Sequence, residues 1–142
     1  ARESLKGSHP YSPEPAMSAL PRLATTLACL LPLTAQALDI QPYSAAALES
    51  AQKADRPVAL HFHANWCPTC RAQEKVFNGF KPDATLTLAI LVVDYDAERA
   101  LKQKLGVRTQ STLIVYRGTR ETARLAGETD PATLKAALQS AL

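Results

Sequence analysis

The sequence predicts an α/β domain in which helices flank a central mixed β-sheet, in the order βαβαβαββα. Three observations predict this class. Short apolar segments alternate with segments of helical period along residues 38–142. The segment 86–93 is apolar almost throughout, which is typical of a strand covered on both faces. Two further strand segments meet around the turn 117–120, which predicts an antiparallel hairpin at one edge of the sheet.

Each predicted element is bounded by residues that begin or end secondary structure. Ser44 is predicted to cap the first helix, and Pro68 and Pro131 each occupy a first helical position, where a backbone N–H is not needed. Gly79 and Gly106 are predicted to end the second and third helices. In chain order, the predicted strands and helices are 39–43, 45–54, 58–63, 68–78, 86–93, 97–105, 112–117, 122–126 and 131–138.

The composition and charge argue against binding to nucleic acid or to an anionic membrane surface. The chain has 142 residues, of which 46% are hydrophobic and 20% are charged, and this suffices for one folded core. Its formal net charge of +3 is spread along the sequence rather than collected in a basic run. We therefore expect neither nucleic acid nor an anionic membrane surface as a partner.

The first 37 residues have the features of an exported precursor. Met17 is followed by a positive charge at Arg22 and an uncharged run over 23–33, and Ala35-Gln36-Ala37 has small residues where a signal peptidase binds them. The run is shorter than the roughly 20 residues that span a bilayer, so we expect no stable membrane insertion after cleavage. The predicted parts are an upstream extension without a fold at 1–16, a signal peptide at 17–37 and a folded domain at 38–142.

Other interpretations of the N-terminal segment stay open. It could form a buried helix of the domain, or a transit peptide, because it contains Arg and Ser with few acidic residues. Cys29 could carry a lipid, although Thr26 stands where a lipoprotein signal favours Leu. The order of the charged, apolar and small residues favours export.

The chemistry of this chain is concentrated in a Cys-x-x-Cys motif. The residues Trp66-Cys67-Pro68-Thr69-Cys70 follow a predicted strand directly and open a predicted helix. With Pro68 at the first helical position, Cys67 is the N-cap, where unpaired N–H groups and the helix dipole favour an anion. This should lower the pKa of the Cys67 thiol, and the thiolate is the nucleophile of disulfide exchange. Cys70 lies one turn further on, where it can close a disulfide and expel a bound substrate thiol.

Two simpler explanations of the cysteine pair are less favoured. One is half of a structural zinc site, but such a site commonly takes four protein ligands, and the sequence has no second Cys-x-x-Cys. The other is an inert structural disulfide, but a bond between cysteines so near in sequence closes too small a loop to constrain the unfolded chain much. Redox chemistry is therefore the favoured interpretation.

Several stretches resemble the thioredoxin family, and together they extend over essentially all of residues 38–142. They are 57–70, 92–94, 106–108 with 111–113, and Gly127 after the last strand. The resemblance implies a thioredoxin-like fold and thiol-disulfide oxidoreductase activity towards protein thiols or disulfides, in the periplasm of a Gram-negative bacterium. It implies Cys67 as the attacking cysteine, Cys70 as the resolving cysteine, an unidentified redox partner protein and no cofactor. We expect a monomer, with no resident metal.

The sequence departs from the family in the loop that faces the active site. Ser111 stands where the family has a cis-proline. A cis bond before serine costs about 2.5–4 kcal/mol, so we expect a trans bond here. Substrate docking is expected on this loop and beside the thiols. The residues predicted to contact substrate are Trp66, Pro68, Thr69, Gln110, Ser111 and Thr112.

A second departure is His61, which occupies the strand position where the family has a buried acid. That acid assists proton transfer to the resolving cysteine. Because imidazole titrates near neutral pH, His61 is a candidate catalytic residue. A core histidine with satisfied hydrogen bonds explains the same residue equally well.

The third departure leaves the direction of electron flow open. Pro68-Thr69 replaces the Gly-Pro usual in reducing thioredoxins, and proline after the first cysteine resembles oxidases and glutaredoxins. The alternative function is a periplasmic copper- or zinc-binding protein in which Cys67, Cys70 and a nearby histidine form a soft site. Ser111 adds weight to this alternative, because the family proline screens the thiols from metal ions.

The cleavage site yields a testable prediction. When the precursor is exported from a Gram-negative host, we expect a mature N-terminus at Leu38, because Ala35 and Ala37 provide the small side chains that a signal peptidase recognises. Intact-mass measurement of the exported protein checks this. A mature protein that retains Cys29 would contradict it.

Overall fold

The computed structural model describes residues 37–142, and these form a five-stranded sheet with helices on both faces. The element order is the predicted βαβαβαββα. The strands are β1 Asp39–Pro42, β2 Pro57–His63, β3 Ala89–Asp94, β4 Thr112–Arg117 and β5 Arg120–Ala126. The helices are α1 Ala45–Lys53, α2 Pro68–Phe80, α3 Arg99–Leu105 and α4 Pro131–Gln139.

The predicted extension at 1–16 and the predicted signal peptide, apart from Ala37, lie outside the described residues. The same holds for Cys29 and the interpretations attached to it. Within residues 37–142, the structure contains no helix that is both long and apolar enough to cross a bilayer.

The sheet is mixed, and β2 lies at its centre. The strand order is β1-β3-β2-β4-β5. β3 pairs in parallel with β1 and with β2, whereas β4 pairs antiparallel with both β2 and β5. The predicted hairpin therefore supplies the antiparallel edge. Since β2 is hydrogen-bonded on both sides, its carboxyl end is a fixed platform for the motif that follows it.

Two apolar cores lie on opposite faces of the sheet, because successive residues of a strand point to opposite sides. On one face, α2 and α4 pack against the sheet through Ala59, Leu113, Val115, Phe77, Leu134 and Leu138. On the other face, α1 and α3 pack through Val58, Leu60, Phe62, Ala51, Leu101 and Leu105. His61 shares its face with Ala59 and lies against Phe77, so it points towards α2.

The predicted helix boundaries at Ser44 and Gly106 are confirmed. The Ser44 hydroxyl accepts a hydrogen bond from the N–H of Ala47 at 3.1 Å and so caps α1. Gly106 ends α3 with a left-handed φ of 65°, a conformation that glycine adopts without steric cost. These local signals fix the helix starts and stops that position the active-site loops.

The prediction that Gly79 ends the second helix is wrong, because α2 continues through it to Phe80. Phe77 is buried, and Val76 and Phe80 pack against the same core, so the apolar stripe continues past the glycine. Burial of this stripe outweighs the helix penalty of glycine, which is about 1 kcal/mol.

Two elements begin later than the sequence predicts. β3 begins at Ala89, three residues late, although Leu86 and Leu88 are buried in the core. A continuous apolar run shows that a segment is buried but not that its backbone joins a ladder. α3 begins at Arg99, two residues late, because the Asp94 carboxylate accepts hydrogen bonds from the two N–H groups of the preceding turn.

Candidate active site

The Cys-x-x-Cys motif lies where β2 ends and α2 begins. Cys67 is the N-cap of α2, with the extended backbone that this position requires, and Pro68 occupies the first turn. The Cys67 sulfur accepts a hydrogen bond from the N–H of Cys70 at 3.3 Å. A sulfur held in this way replaces the oxygen of a usual capping side chain, and the helix dipole favours its negative charge. The predicted position of Cys67 is therefore confirmed.

Both cysteines are free thiols, and both are nearly enclosed. Cys67 is 3% exposed and Cys70 is fully buried, so the small accessible surface belongs to Cys67. The two cysteines pack with Ala64 and the partly buried Tyr95. We therefore expect an incoming sulfur to meet Cys67 before Cys70.

The hydroxyl of Ser111 lies beside both sulfurs. Its oxygen is 3.2 Å from the Cys67 sulfur and 3.1 Å from the Cys70 sulfur. The sequence predicts Ser111 on the substrate-docking loop but gives no signal of this double contact, because the contact depends on how the loop folds back. One polar atom thus contacts both sulfurs of the pair.

Ser111 has a backbone that proline cannot adopt. No peptide bond among residues 37–142 is cis, which confirms the expected trans bond here, and Ser111 has a φ of 60°. Its N–H donates a hydrogen bond to the carbonyl of Phe62 at 2.9 Å. Proline fixes φ near −65° and has no N–H, so it would lose both features. The family proline is therefore replaced by a different backbone conformation as well as by a different side chain.

The Ser111 hydroxyl can distinguish the two sulfurs, because it has one hydrogen to donate. Cys67 already accepts the N–H of Cys70 and lies at the helix N-terminus, so the negative charge is favoured there. The hydroxyl then donates its hydrogen to the Cys67 thiolate, and Cys70 keeps its own. This arrangement keeps one proton on the pair and places it on Cys70.

The two thiols have opposite pKa shifts. Burial alone would raise the pKa of Cys67, but hydrogen bonds from Ser111, from the Cys70 thiol and from backbone N–H groups lower it to about 7. Burial raises the pKa of Cys70, and its proximity to the Cys67 thiolate raises it further, although the Ser111 hydroxyl opposes this. Near neutral pH, Cys67 is the thiol that ionises.

A buried hydrogen-bond network lies behind the sulfurs and is centred on Gln73 of α2. Gln73 is fully buried. Its amide nitrogen donates to the carbonyl oxygens of Ser111 at 3.0 Å and Glu128 at 2.7 Å, and its amide oxygen is 2.9 Å from Nε2 of His61. The sequence gave no signal for Gln73, because a polar residue in an amphipathic helix is expected to face solvent.

The structure places His61 in this network. Among the described residues, no hydrogen bond joins its ring to Cys67 or Cys70. Burial lowers the pKa of His61 to about 4, against the hydrogen bond with Gln73, which raises it. The ring is therefore neutral near neutral pH. The catalytic role predicted for His61 stays a prediction, and the geometry shows a histidine that contacts Gln73.

The other residues predicted to contact substrate lie around the thiols at different depths. Trp66 is 59% exposed, and its indole N–H donates to the Asp96 carboxylate at 2.9 Å. Pro68 is exposed, Thr69 and Gln110 are half-buried, and Thr112 is buried. Thr112 donates its hydroxyl hydrogen to a backbone carbonyl of its own loop at 2.7 Å. Trp66 and Pro68 thus form the outer surface, while Thr112 supports the loop from within.

The structure gives no geometric support to the metal-binding alternative. Within residues 37–142, no three histidine, cysteine, aspartate or glutamate side chains come together as a possible metal site. Nε2 of His61 is engaged with Gln73 of α2. The two thiols therefore lack the third ligand that the alternative requires.

The chain is similar to proteins called thioredoxin. A family described as Thioredoxin matches residues 41–140. Thioredoxin-2 of Saccharomyces cerevisiae is 32% identical over 86 residues, which cover 61% of this chain and 81% of the yeast protein. The thioredoxin of Alicyclobacillus acidocaldarius is 27% identical over 94 residues, which cover 66% of this chain and 90% of that protein.

A solved structure extends the similarity to three dimensions. Trxlp from Edwardsiella tarda EIB202 superposes with a TM-score of 0.67 and is 37% identical, over 70% of this chain and 98% of that one. This confirms the predicted thioredoxin-like fold of a mixed sheet flanked by helices. The chain therefore belongs to the thioredoxin family of thiol-disulfide oxidoreductases.

Proposed function

We propose that this protein reduces disulfides of other proteins in the periplasm of a Gram-negative bacterium, with Cys67 as attacking thiol and Cys70 as resolving thiol. One observation carries the assignment of roles. The Cys67 sulfur is the helix N-cap and touches the Ser111 hydroxyl, while Cys70 is fully buried behind it. Only Cys67 combines stabilisation of an anion with access from outside.

In the first step, the Cys67 thiolate attacks one sulfur of a substrate disulfide. A bond forms between Cys67 and that sulfur, the substrate disulfide bond breaks, and the second substrate sulfur leaves as a thiolate that takes a proton from solvent. The Ser111 hydroxyl stabilises the thiolate before attack, and once the charge has left Cys67 it can turn its hydrogen towards Cys70. The product is a mixed disulfide between Cys67 and the substrate.

In the second step, Cys70 loses its proton and attacks the Cys67 sulfur. The bond between Cys67 and the substrate breaks, the substrate leaves as a thiol after taking up a proton, and Cys67 and Cys70 are left as a disulfide. The Ser111 hydroxyl is 3.1 Å from the Cys70 sulfur and can stabilise the thiolate that forms there. The substrate gains two electrons, and an unidentified redox partner protein must supply two more to reduce the Cys67–Cys70 disulfide.

The proposed direction of electron flow rests on how strongly the protein stabilises the reduced form of the Cys67–Cys70 pair. A very acidic thiol stabilises the reduced pair and makes the protein an oxidant; the pKa of that thiol is about 3.5 in a strong oxidase and about 7 in thioredoxin. The hydrogen bonds around Cys67 bring its pKa to about 7. This supports a reductant, although Pro68-Thr69 between the cysteines resembles oxidases.

The proposed location rests on the sequence of the N-terminal segment, and the proposed substrate class rests on the surface around the thiols. Trp66 is a large exposed apolar side chain next to Cys67. It offers contact area to an extended segment of a substrate protein, and the exposed Pro68 follows Cys67 directly in the chain. Such a surface suits a protein substrate whose disulfide is presented on a flexible segment.

The division of labour between the cysteines can be tested by trapping. In a Cys29→Ser background, the Cys70→Ser variant should attack a protein disulfide and accumulate a mixed disulfide, because no resolving thiol is present. Non-reducing gels with reduced and alkylated controls measure the trapped fraction. Insulin can serve as the disulfide substrate.

The matched control is Cys67→Ser in the same background, which should trap almost nothing. Its remaining thiol is fully buried, and its pKa is raised. If Cys67→Ser traps as much as Cys70→Ser does, the proposed roles are wrong. Catalytic reduction of insulin by the unmodified protein tests the proposed direction separately.

The contribution of Ser111 can be tested by removing its hydroxyl. Ser111→Ala keeps a Cβ at the same φ, so it changes the hydrogen bond without changing the backbone requirement. A hydrogen bond to a charged group contributes about 1.5–3 kcal/mol, so the pKa of Cys67 should rise by about one unit or more. Alkylation of Cys67 at pH 7, followed by peptide mass spectrometry, should slow about fivefold for a one-unit rise.

Thr109→Ala is the control, because it removes a hydroxyl of the same loop whose hydrogen bond within residues 37–142 is with the Thr112 hydroxyl and not with a sulfur. It should leave the pH dependence of Cys67 alkylation unchanged. An unchanged pH dependence in Ser111→Ala would mean that the hydroxyl does not stabilise the thiolate.

A further inference from the structure

Gln73 is an unusual residue for its position. It lies one helical turn after Cys70 on α2, and it is fully buried. Burying an amide is costly unless each polar atom finds a partner. Both of its polar atoms do so, in three hydrogen bonds with Ser111, Glu128 and His61. A buried side chain with all of these hydrogen bonds holds together the segments that it joins.

The orientation of the Gln73 amide follows from its partners. Its nitrogen has two hydrogens, and the two neighbouring acceptors are the backbone carbonyls of Ser111 and Glu128, which cannot donate. The amide oxygen must then face His61, and Nε2 of His61 must carry the hydrogen that it donates. The network therefore has one consistent set of proton positions while His61 is neutral.

The network supports Ser111, whose backbone conformation is strained. A φ of 60° is strained in a residue other than glycine and persists only where its surroundings enforce it. The N–H of Ser111 is held by Phe62, and its carbonyl accepts from both the N–H of Gly127 and the amide of Gln73. Gln73 is the only side chain among these anchors, and it belongs to the helix that carries the cysteines.

We propose that Gln73 is a positioning residue for the dithiol: by holding the carbonyl of Ser111 to α2, it keeps the Ser111 hydroxyl against both sulfurs. The inference rests on the proposed function, since it assigns to Gln73 the geometry that activates Cys67. It also gives His61 a role, because the Nε2 hydrogen of His61 orients the Gln73 amide. Cys67 reactivity then depends on a buried side chain that touches neither sulfur.

The proposal predicts a shift in the pH dependence of Cys67. Gln73→Met keeps an unbranched side chain of similar length but removes both donors. In the full chain, the rate of Cys67 alkylation should reach its plateau at higher pH, in the same direction as for Ser111→Ala. Its rate at pH 7 should fall by about twofold to fivefold, which corresponds to a pKa rise of about half to one unit.

A double-mutant cycle tests whether Gln73 acts through Ser111. If it does, Gln73→Met should cause little further shift in a Ser111→Ala background, because the hydroxyl that it positions is already gone. An equal shift in both backgrounds would overturn the proposal. The absence of any pKa shift when Gln73→Met is made in the protein that keeps Ser111 would also overturn the proposal.

Phe77→Leu is the matched control for loss of packing. Phe77 is one turn further along α2, is 1% exposed and lies against the ring of His61 at 5.1 Å between centroids. This variant should lower the melting temperature without moving the pH dependence of Cys67. A shift as large as that of Gln73→Met would mean that general loosening of α2 explains both, and the proposal would be wrong.

A second variant covers the case in which Gln73→Met does not fold. Gln73→Asn keeps the amide but is one methylene shorter, so it cannot reach both carbonyls. The same shift and the same dependence on Ser111 are expected, and their absence would again overturn the proposal. Failure of the proposed function is distinguishable, because it would appear as absence of a trapped mixed disulfide in Cys70→Ser with Gln73 unchanged.

Discussion

The active site depends on the contact between one hydroxyl and two sulfurs. Ser111 reaches Cys67 and Cys70 because three parts of the chain meet at the carboxyl end of β2: the start of α2, the end of β2 and the loop before β4. The N–H of Ser111 bonds to Phe62 of β2, which ties the loop to the centre of the sheet. The sheet, rather than the loop itself, therefore determines the geometry at the sulfurs.

This arrangement differs physically from one built on proline. A proline presents only apolar carbon to a neighbouring sulfur, whereas Ser111 presents a group that donates and accepts. The hydroxyl can stabilise a thiolate on whichever sulfur carries the charge, and the helix start decides that this is Cys67. The left-handed backbone of Ser111 is strained. Hydrogen bonds from Gly127 and Gln73 to the Ser111 carbonyl offset this strain.

The sequence predicted what local chemistry determines. Alternation of apolar segments gave the element order, and Pro68 after Cys67 gave the helix start, because caps and prolines act within a few residues. It failed for Gly79, where distant packing overrides a local signal. It also gave no sign that Ser111 contacts both sulfurs or that Gln73 is buried, since these contacts join residues far apart in the chain. The missed features are those that only the tertiary fold creates.

The central claim is that the hydrogen bonds around Cys67 make it the acidic thiol of the pair. The most direct test is the pH titration of the Cys67 and Cys70 β-carbon chemical shifts in the reduced protein. The account predicts that Cys67 titrates first, with a pKa near 7, and that Cys70 titrates above it. The claim would be contradicted by a Cys67 midpoint at or above the roughly 8.5 of an ordinary cysteine, or by Cys70 ionising first.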